Sequence, residues 1–301
     1  MTGKLPAFGL TTFSMELLSC LSVLLFGLRL RQIRRFTRQR LSQADESSIT
    51  FIHRISKCAL MTAVFLIMTE AGNALVIHLI NGRHNGNLVH LLWFLLISMN
   101  AFNITFPAFY IMMLRLVTEE SLKCLSCMTM QVREGIATAD QLMSQRDRLA
   151  TGKADLERLF NHIPAILFTV PFITIPEMIV TISSLIASGQ SVSVLVDLLY
   201  YVCMNGTHVT VLILLIRHVT DCQDRERVAC QQLIRMIQSK YSSKLFNGGY
   251  QAVIEELRLL TDTKMTGCSL FVIEWPILLS TISALVSVGV LVIQIAYLSS
   301  Q

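Results

Sequence analysis

The chain has 301 residues, of which 53% are hydrophobic and 15% charged, with a formal net charge of +5 and a mean hydropathy of +0.57. Water-soluble domains are about half apolar and about a quarter charged. This composition therefore excludes an ordinary soluble globular protein.

The apolar residues are bunched. A helix needs about 20 consecutive apolar residues to cross a hydrocarbon core about 30 Å thick, and six windows reach that length, at residues 7 to 28, 58 to 80, 88 to 114, 162 to 187, 193 to 216 and 269 to 297. The sequence predicts an all-α, polytopic transmembrane bundle of six spans. The first window follows Lys4, as a signal peptide would. It is longer than an h-region of about 7 to 15 residues, and six arginines follow it within residues 29 to 40, so it reads as a retained span.

The basic residues choose a side. Segment 29–57 carries eight, 115–161 seven and 217–267 eight, whereas the chain ends and the short turns at 81–87 and 188–192 hold only Lys4 and Arg83. Lys and Arg remain cytoplasmic, so both chain ends are expected outside and the three basic segments inside. The organisation is then three spans with a basic inner loop (1–114), a cytosolic helical segment (115–161), two further spans (162–216), cytosolic anchor helices (217–267) and a last helix (268–301).

The inner segments carry helical stripes. In RERVACQQLIRMIQSKY (225–241) apolar residues recur at Val228, Leu233, Met236 or Ile237, and Tyr241; in YQAVIEELRLL (250–260) they recur at Val253, Leu257 and Leu260, with NGG at 247–249 breaking the two apart. A stripe of this kind marks a face packed on something. An inner layer shared between subunits is one expectation, and helices lying on the lipid surface are the other.

The eight cysteines fall in spans or inner segments, where disulfides are not expected. Cys124 and Cys127 form a lone C-x-x-C, read as two separate thiols on successive helical turns rather than a metal site. The sequons at Asn103 and Asn205 lie within spans and mark no sugar. No phosphate loop, H-E-x-x-H, G-x-S-x-G or convincing internal repeat appears. An enzyme and a secondary transporter are therefore not expected, and neither is a cofactor or a nucleic-acid partner. Receptor and channel remain.

The stretch TGCSLFVIEWPILLSTISALVSVGVLVIQI (266–295) resembles the C-terminal region of the insect-type gustatory and odorant receptor superfamily. That region reads roughly Cys-Gly-Leu-Phe-Thr-Ile-Asp-Arg, then an apolar helix ending in Thr-Tyr, five apolar residues and Gln-Phe. Cys268, Leu270, Phe271 and Gln294 match it, and Glu274 replaces the Asp. Trp275 and Pro276, Ser287 and Val288, and Ile295 depart from it. The loop plan is also similar, but counts back to only six of the family's seven spans, with the first missing. The resemblance is to a divergent gustatory-type member.

The resemblance implies an inverted bundle in the plasma membrane, assembled as a tetramer with itself or related subunits, each giving its last helix to a central cation pore. Gln294 would then form an outer polar ring, with Leu291, Ile295 and Val288 beside it in the pore and an apolar constriction gating by dewetting. Gln294 reaching the interface or a neighbouring helix is the competing account. Glu274 would sit in the inner vestibule, or serve only as a helix-terminal charge.

Charged groups within a span cost about 2.5 to 3.5 kcal/mol at the bilayer centre and are functional candidates. Glu16, Glu70, His78, His90, Trp93, Asp197, Tyr200 and Tyr201 lie in the middle or outer half of four spans, whose equivalents in the family surround an outward-facing pocket for a small organic ligand. Interfacial belts and carboxylate–His pairing remain open for them. Glu177, directly after Pro176 and six residues after Pro171, is a candidate hinge or cation-attracting group. The implied function is a ligand-gated, non-selective cation channel for a taste-like stimulus. A G-protein-coupled receptor or a non-conducting accessory subunit is the alternative.

Overall fold

The computed structural model describes residues 7–42, 44, 46–81, 87–170, 175, 179, 192–242, 249–268 and 270–298; side chains at 7–19, 22, 66, 69–81, 87–104, 192–205, 285, 288, 292, 293 and 295–298 are outside that description. The order is α1 (Ala7–Leu41), α2 (Glu46–Asn81), α3 (Asn87–Glu134), α4 (Ala139–Phe160), a helical run α5 over residues 162–170, α6 (Val192–Lys240), α7 (Gly249–Asp262), a two-stranded ribbon β1 (Thr266–Gly267) and β2 (Phe271–Val272), and α8 (Trp275–Leu298). The all-α expectation holds apart from the ribbon.

Helices α3 and α6 run for 48 and 49 residues. At 1.5 Å per residue each is about 70 Å long, more than twice a hydrocarbon core. Both continue unbroken through the positions where the sequence reading separates span from inner segment, at 114 and 216. Among the described residues, no helix is long and apolar enough to cross a membrane. The six-span count is a reading of the sequence.

Two cores stack along α3 and α6. The first gathers Ile33 and Phe36 of α1, residues from Phe106 to Val117 of α3, Leu156 to Phe160 of α4, Ile163 to Phe168 of α5, Leu212 to Cys222 of α6, and Met265, Ile273 and Leu278. The second joins Leu125, Met128 and Val132 of α3, Leu142 and Leu149 of α4, Cys230 to Tyr241 of α6, and Val253, Ile254, Leu257 and Leu260 of α7. The α7 stripe is as expected. On α6 the register differs: Val228 is 54% exposed, and Cys230, Leu233, Ile237 and Tyr241 form the buried face. Val228 to Leu233 is five residues, which a period of 3.6 does not bring to one side, whereas steps of three and four do.

The turn between α3 and α4 explains how the second core closes. Gly135 has φ of +78°, which glycine tolerates, and the amides of Ile136 and Ala137 return to the carbonyl of Gln131. Thr138 and Gln141 then form a capping box, with the Gln141 amide donating to Thr138 Oγ1 at 3.3 Å and the Thr138 amide to Gln141 Oε1 at 3.2 Å. Tyr241 and Tyr250 both donate their hydroxyls to the carbonyl of Ala137, the buried residue of this turn, so that carbonyl is satisfied.

Candidate functional site

The last helix is held at its base. The strands pair antiparallel, Thr266 opposite Val272 and Gly267 opposite Phe271. A Cβ on Gly267 would lie 2.4 Å from the Phe271 ring, so any larger residue would have to displace that ring, and Cys268 takes φ of +51° to make the turn. Thr266 donates its hydroxyl to Glu157 of α4, the Cys268 amide donates to the Asn161 carbonyl at 3.1 Å, and the Ile273 amide donates to the Met265 carbonyl at 3.0 Å. The Phe271 ring meets Phe168 edge-on at 4.6 Å, and Tyr110 donates to Met265 Sδ at 3.4 Å. Thr266, Cys268, Phe271 and Ile273 therefore form a clamp that seats the start of α8 on α3, α4 and α5, while Leu270 of the motif is 81% exposed and takes no part in it. Glu274, expected at an inner vestibule, is half-buried and paired with Lys264 at 2.8 Å.

Beyond that base, α8 is covered by its own chain on one stripe. Leu278, Thr281 and Gly289 are buried, and a Cβ on Gly289 would come 3.0 Å from Ile179 Cδ1. At 100° per residue, the opposite side carries Ser280, Ser283, Ser287 and Gln294, all exposed. Apolar side chains flank this polar line, with Leu279 67%, Val286 62% and Leu291 55% exposed. The Ser287 hydroxyl returns to the Ser283 carbonyl at 2.9 Å. The sequence reading singled out Gln294 and Leu291 and missed the three serines; the signal was their spacing of three and four residues, ending two turns short of Gln294. The side chains of Val288 and Ile295 lie outside the described residues.

The eight expected ligand residues sit on four helices: Glu16 on α1, Glu70 and His78 on α2, His90 and Trp93 on α3, Asp197, Tyr200 and Tyr201 on α6. Those helices do meet, α3 packing on α1, α2 and α6, and α2 on α6. The eight side chains lie outside the described residues, as do Pro171, Pro176 and Glu177.

Between the two cores lies a polar joint. Lys153 of α4 pairs with Glu226 of α6 at 2.5 Å, both well buried, beside Gln223, Thr263 and Glu157. Burial pushes the Cys222 thiol up and the Cys230 thiol up to about 11, with Glu226 adding to the rise and Lys153 opposing it at Cys230. Protonated, buried thiols of this kind are inert. Cys124 is half-buried and Cys127 exposed, both free, and burial raises the Cys124 thiol also. Among the described residues, no cluster of three or more His, Cys, Asp or Glu is arranged to hold a metal.

The fold is similar to that of an insect olfactory receptor. The chain is similar to the olfactory receptor OR5 from Machilis hrabei in complex with eugenol, with a TM-score of 0.62 and 13% identity over 95% of this chain and 80% of that one. A second structure of the same receptor gives 0.64 and 13% over 97% and 82%. No protein-family model matches the chain, and no curated protein matches it by sequence.

Proposed function

We propose that the chain is a chemoreceptor subunit of the insect gustatory and odorant type, working as a small-molecule-gated, non-selective cation channel in the plasma membrane. The observation that carries this reading is the face of α8 that its own chain leaves uncovered, which holds Ser280, Ser283, Ser287 and Gln294. A serine hydroxyl satisfies itself on the preceding turn, as Ser287 does, and so tolerates lipid. A glutamine amide has two donors and an acceptor that a helix cannot absorb. On the side of α8 away from its bundle it is suited to water in a pore shared with three further copies, of itself or of related subunits, or to a partner helix.

In this reading α8 runs outward, so four Gln294 side chains form the outer ring, with the constriction drawn from Leu291, Ile295 and Val288. The olfactory receptor with a similar fold is solved with eugenol, and a small organic ligand is proposed here too, among Glu16, Glu70, His78, His90, Trp93, Asp197, Tyr200 and Tyr201. Binding acts by stabilising the open arrangement over the closed one, by as much as the affinities for the two differ. A taste-like stimulus is the finer proposal, resting on the sequence resemblance.

The test is to replace Gln294 by Leu and Leu291 by Ser and record stimulus-evoked currents, alone and with a related subunit. Altered permeation or gating is expected. Unchanged currents in a conducting assembly containing the variants remove the pore assignment, and a silent chain that leaves a partner's current unaltered favours the accessory reading. An epitope after Gln301 is expected to stain on intact cells; staining only after permeabilisation, with surface expression confirmed, would overturn the orientation.

A further inference from the structure

Helix α1 ends in six arginines and no lysine, and the fold divides them into two kinds. On one face Arg29 donates to the Arg158 and Leu159 carbonyls at 2.8 and 3.2 Å, Ile33 and Phe36 are buried, and Arg40 pairs with Glu120 while stacking 5.1 Å from the Phe36 ring. These positions, spaced four, three and four apart, fasten α1 to α3 and α4. On the other face Arg31, Arg34, Arg35 and Arg38 are exposed, and among the described residues none of the four side chains forms an ion pair or a hydrogen bond. With Gln39 and Ser42 they line one shallow, open hollow.

The geometry points to a binding site on this face for the headgroup of a phospholipid that carries more than one phosphate. Residues 31 to 38 cover about 10 Å of helix with four like charges on one side, a repulsive arrangement unless anions bridge it. Guanidinium groups grip phosphate oxygens in pairs, so one polyphosphate headgroup serves several arginines at once. Cytoplasmic retention of a loop is achieved by lysine as well as arginine, and helix-end charges act only within the last turn. Neither explains an all-arginine face that begins three turns before the end of α1. The segment follows directly on the apolar window at 7 to 28, which places it at headgroup level. The inference rests on the proposed membrane orientation only in needing a leaflet that contains such lipids.

The test uses the purified full chain in phosphatidylcholine nanodiscs carrying, in both leaflets, either a bis-phosphorylated inositol lipid or phosphatidylserine at the same total charge, with retained lipid counted by native mass spectrometry. Because the discs are symmetric, a wrong orientation does not change the result, so failure here and failure of the topology are separable. The inositol lipid is expected to be retained preferentially, and Arg31→Gln/Arg35→Gln is expected to weaken retention by about tenfold or more. Both side chains are exposed and neither forms an ion pair or hydrogen bond among the described residues, so the variant should melt as the parent does; Arg34→Gln/Arg38→Gln is the second pair if it does not. Equal retention of the two lipids, unchanged retention in both glutamine pairs, or displacement by excess inorganic phosphate would each overturn the proposal.

Discussion

The inner core and the last helix use similar residues in opposite ways. Around α7, Met128, Val132, Leu233, Ile237, Val253, Ile254 and Leu257 are all fully buried by one chain. Along α8, Leu279, Ile282, Val286, Val290 and Leu291 stay exposed, and among the described residues the buried stripe runs through Leu278, Thr281 and Gly289. The first region is finished by its own sequence. The second is apolar enough to shun water and, among its described residues, leaves a broad apolar side exposed, whose cover lipid or further copies of the chain would have to supply.

The sharpest way to probe this contrast is at the joint where the inner core begins. Lys153→Met leaves Glu226 buried and unpaired, and is expected to cost about 3 to 5 kcal/mol, read as a large drop in thermal unfolding temperature of the detergent-solubilised chain. Lys153→Met with Glu226→Met should recover most of it. Next, Leu257→Ala should cost about 3 kcal/mol through the cavity it opens. Val286→Ala on α8 should change the unfolding of the isolated subunit by less than about 0.5 kcal/mol. Equal effects at the two positions would break the contrast.

Smaller effects sharpen it. Thr138→Ala removes the capping box and should cost about 1 kcal/mol, confined to the α3–α4 end. Hydrogen exchange of residues 139 to 142 checks this. The Cys230 thiol, raised to about 11 from an ordinary 9.0, gives a pH signature. The unfolded chain ionises first, so its contribution to stability is complete below pH 9.0 and is lost as pH rises towards 11. Cys230→Ala should flatten that alkaline decline in a melting series.

Much of this was legible in the sequence because helical periodicity and breakers are local signals. The α7 stripe read correctly; of the NGG break, residues 247 and 248 lie outside the described residues and Gly249 opens α7. The continuity of α3 and α6 was not read, because charge marks the end of a membrane span and not the end of a helix. Between 115 and 134, and between 217 and 240, no Gly or Pro interrupts the chain, and a helix carries polar residues as readily as apolar ones. Val228 misled because it is apolar and sits near the stripe, although its step to Leu233 belongs to no helical face. The serines of α8 were hidden inside a strongly apolar run, where only the uncovered side of the helix gives their alignment meaning. The clamp at Cys268 depends on a ring over Gly267 and a left-handed turn, and contacts across more than a hundred residues leave no periodic trace.

That clamp has a mechanical consequence. Hydrogen bonds to Glu157 and Asn161 fix one end of a helix of 24 residues, while beyond Gly289 the described side chains Val290, Leu291 and Gln294 are all exposed. With a length of about 36 Å, a tilt of about 5° about the fixed end moves the far end by about 3 Å. The helix is a lever with its fulcrum at residue 274, so an effort too small to disturb the ribbon is delivered, enlarged, at Gln294.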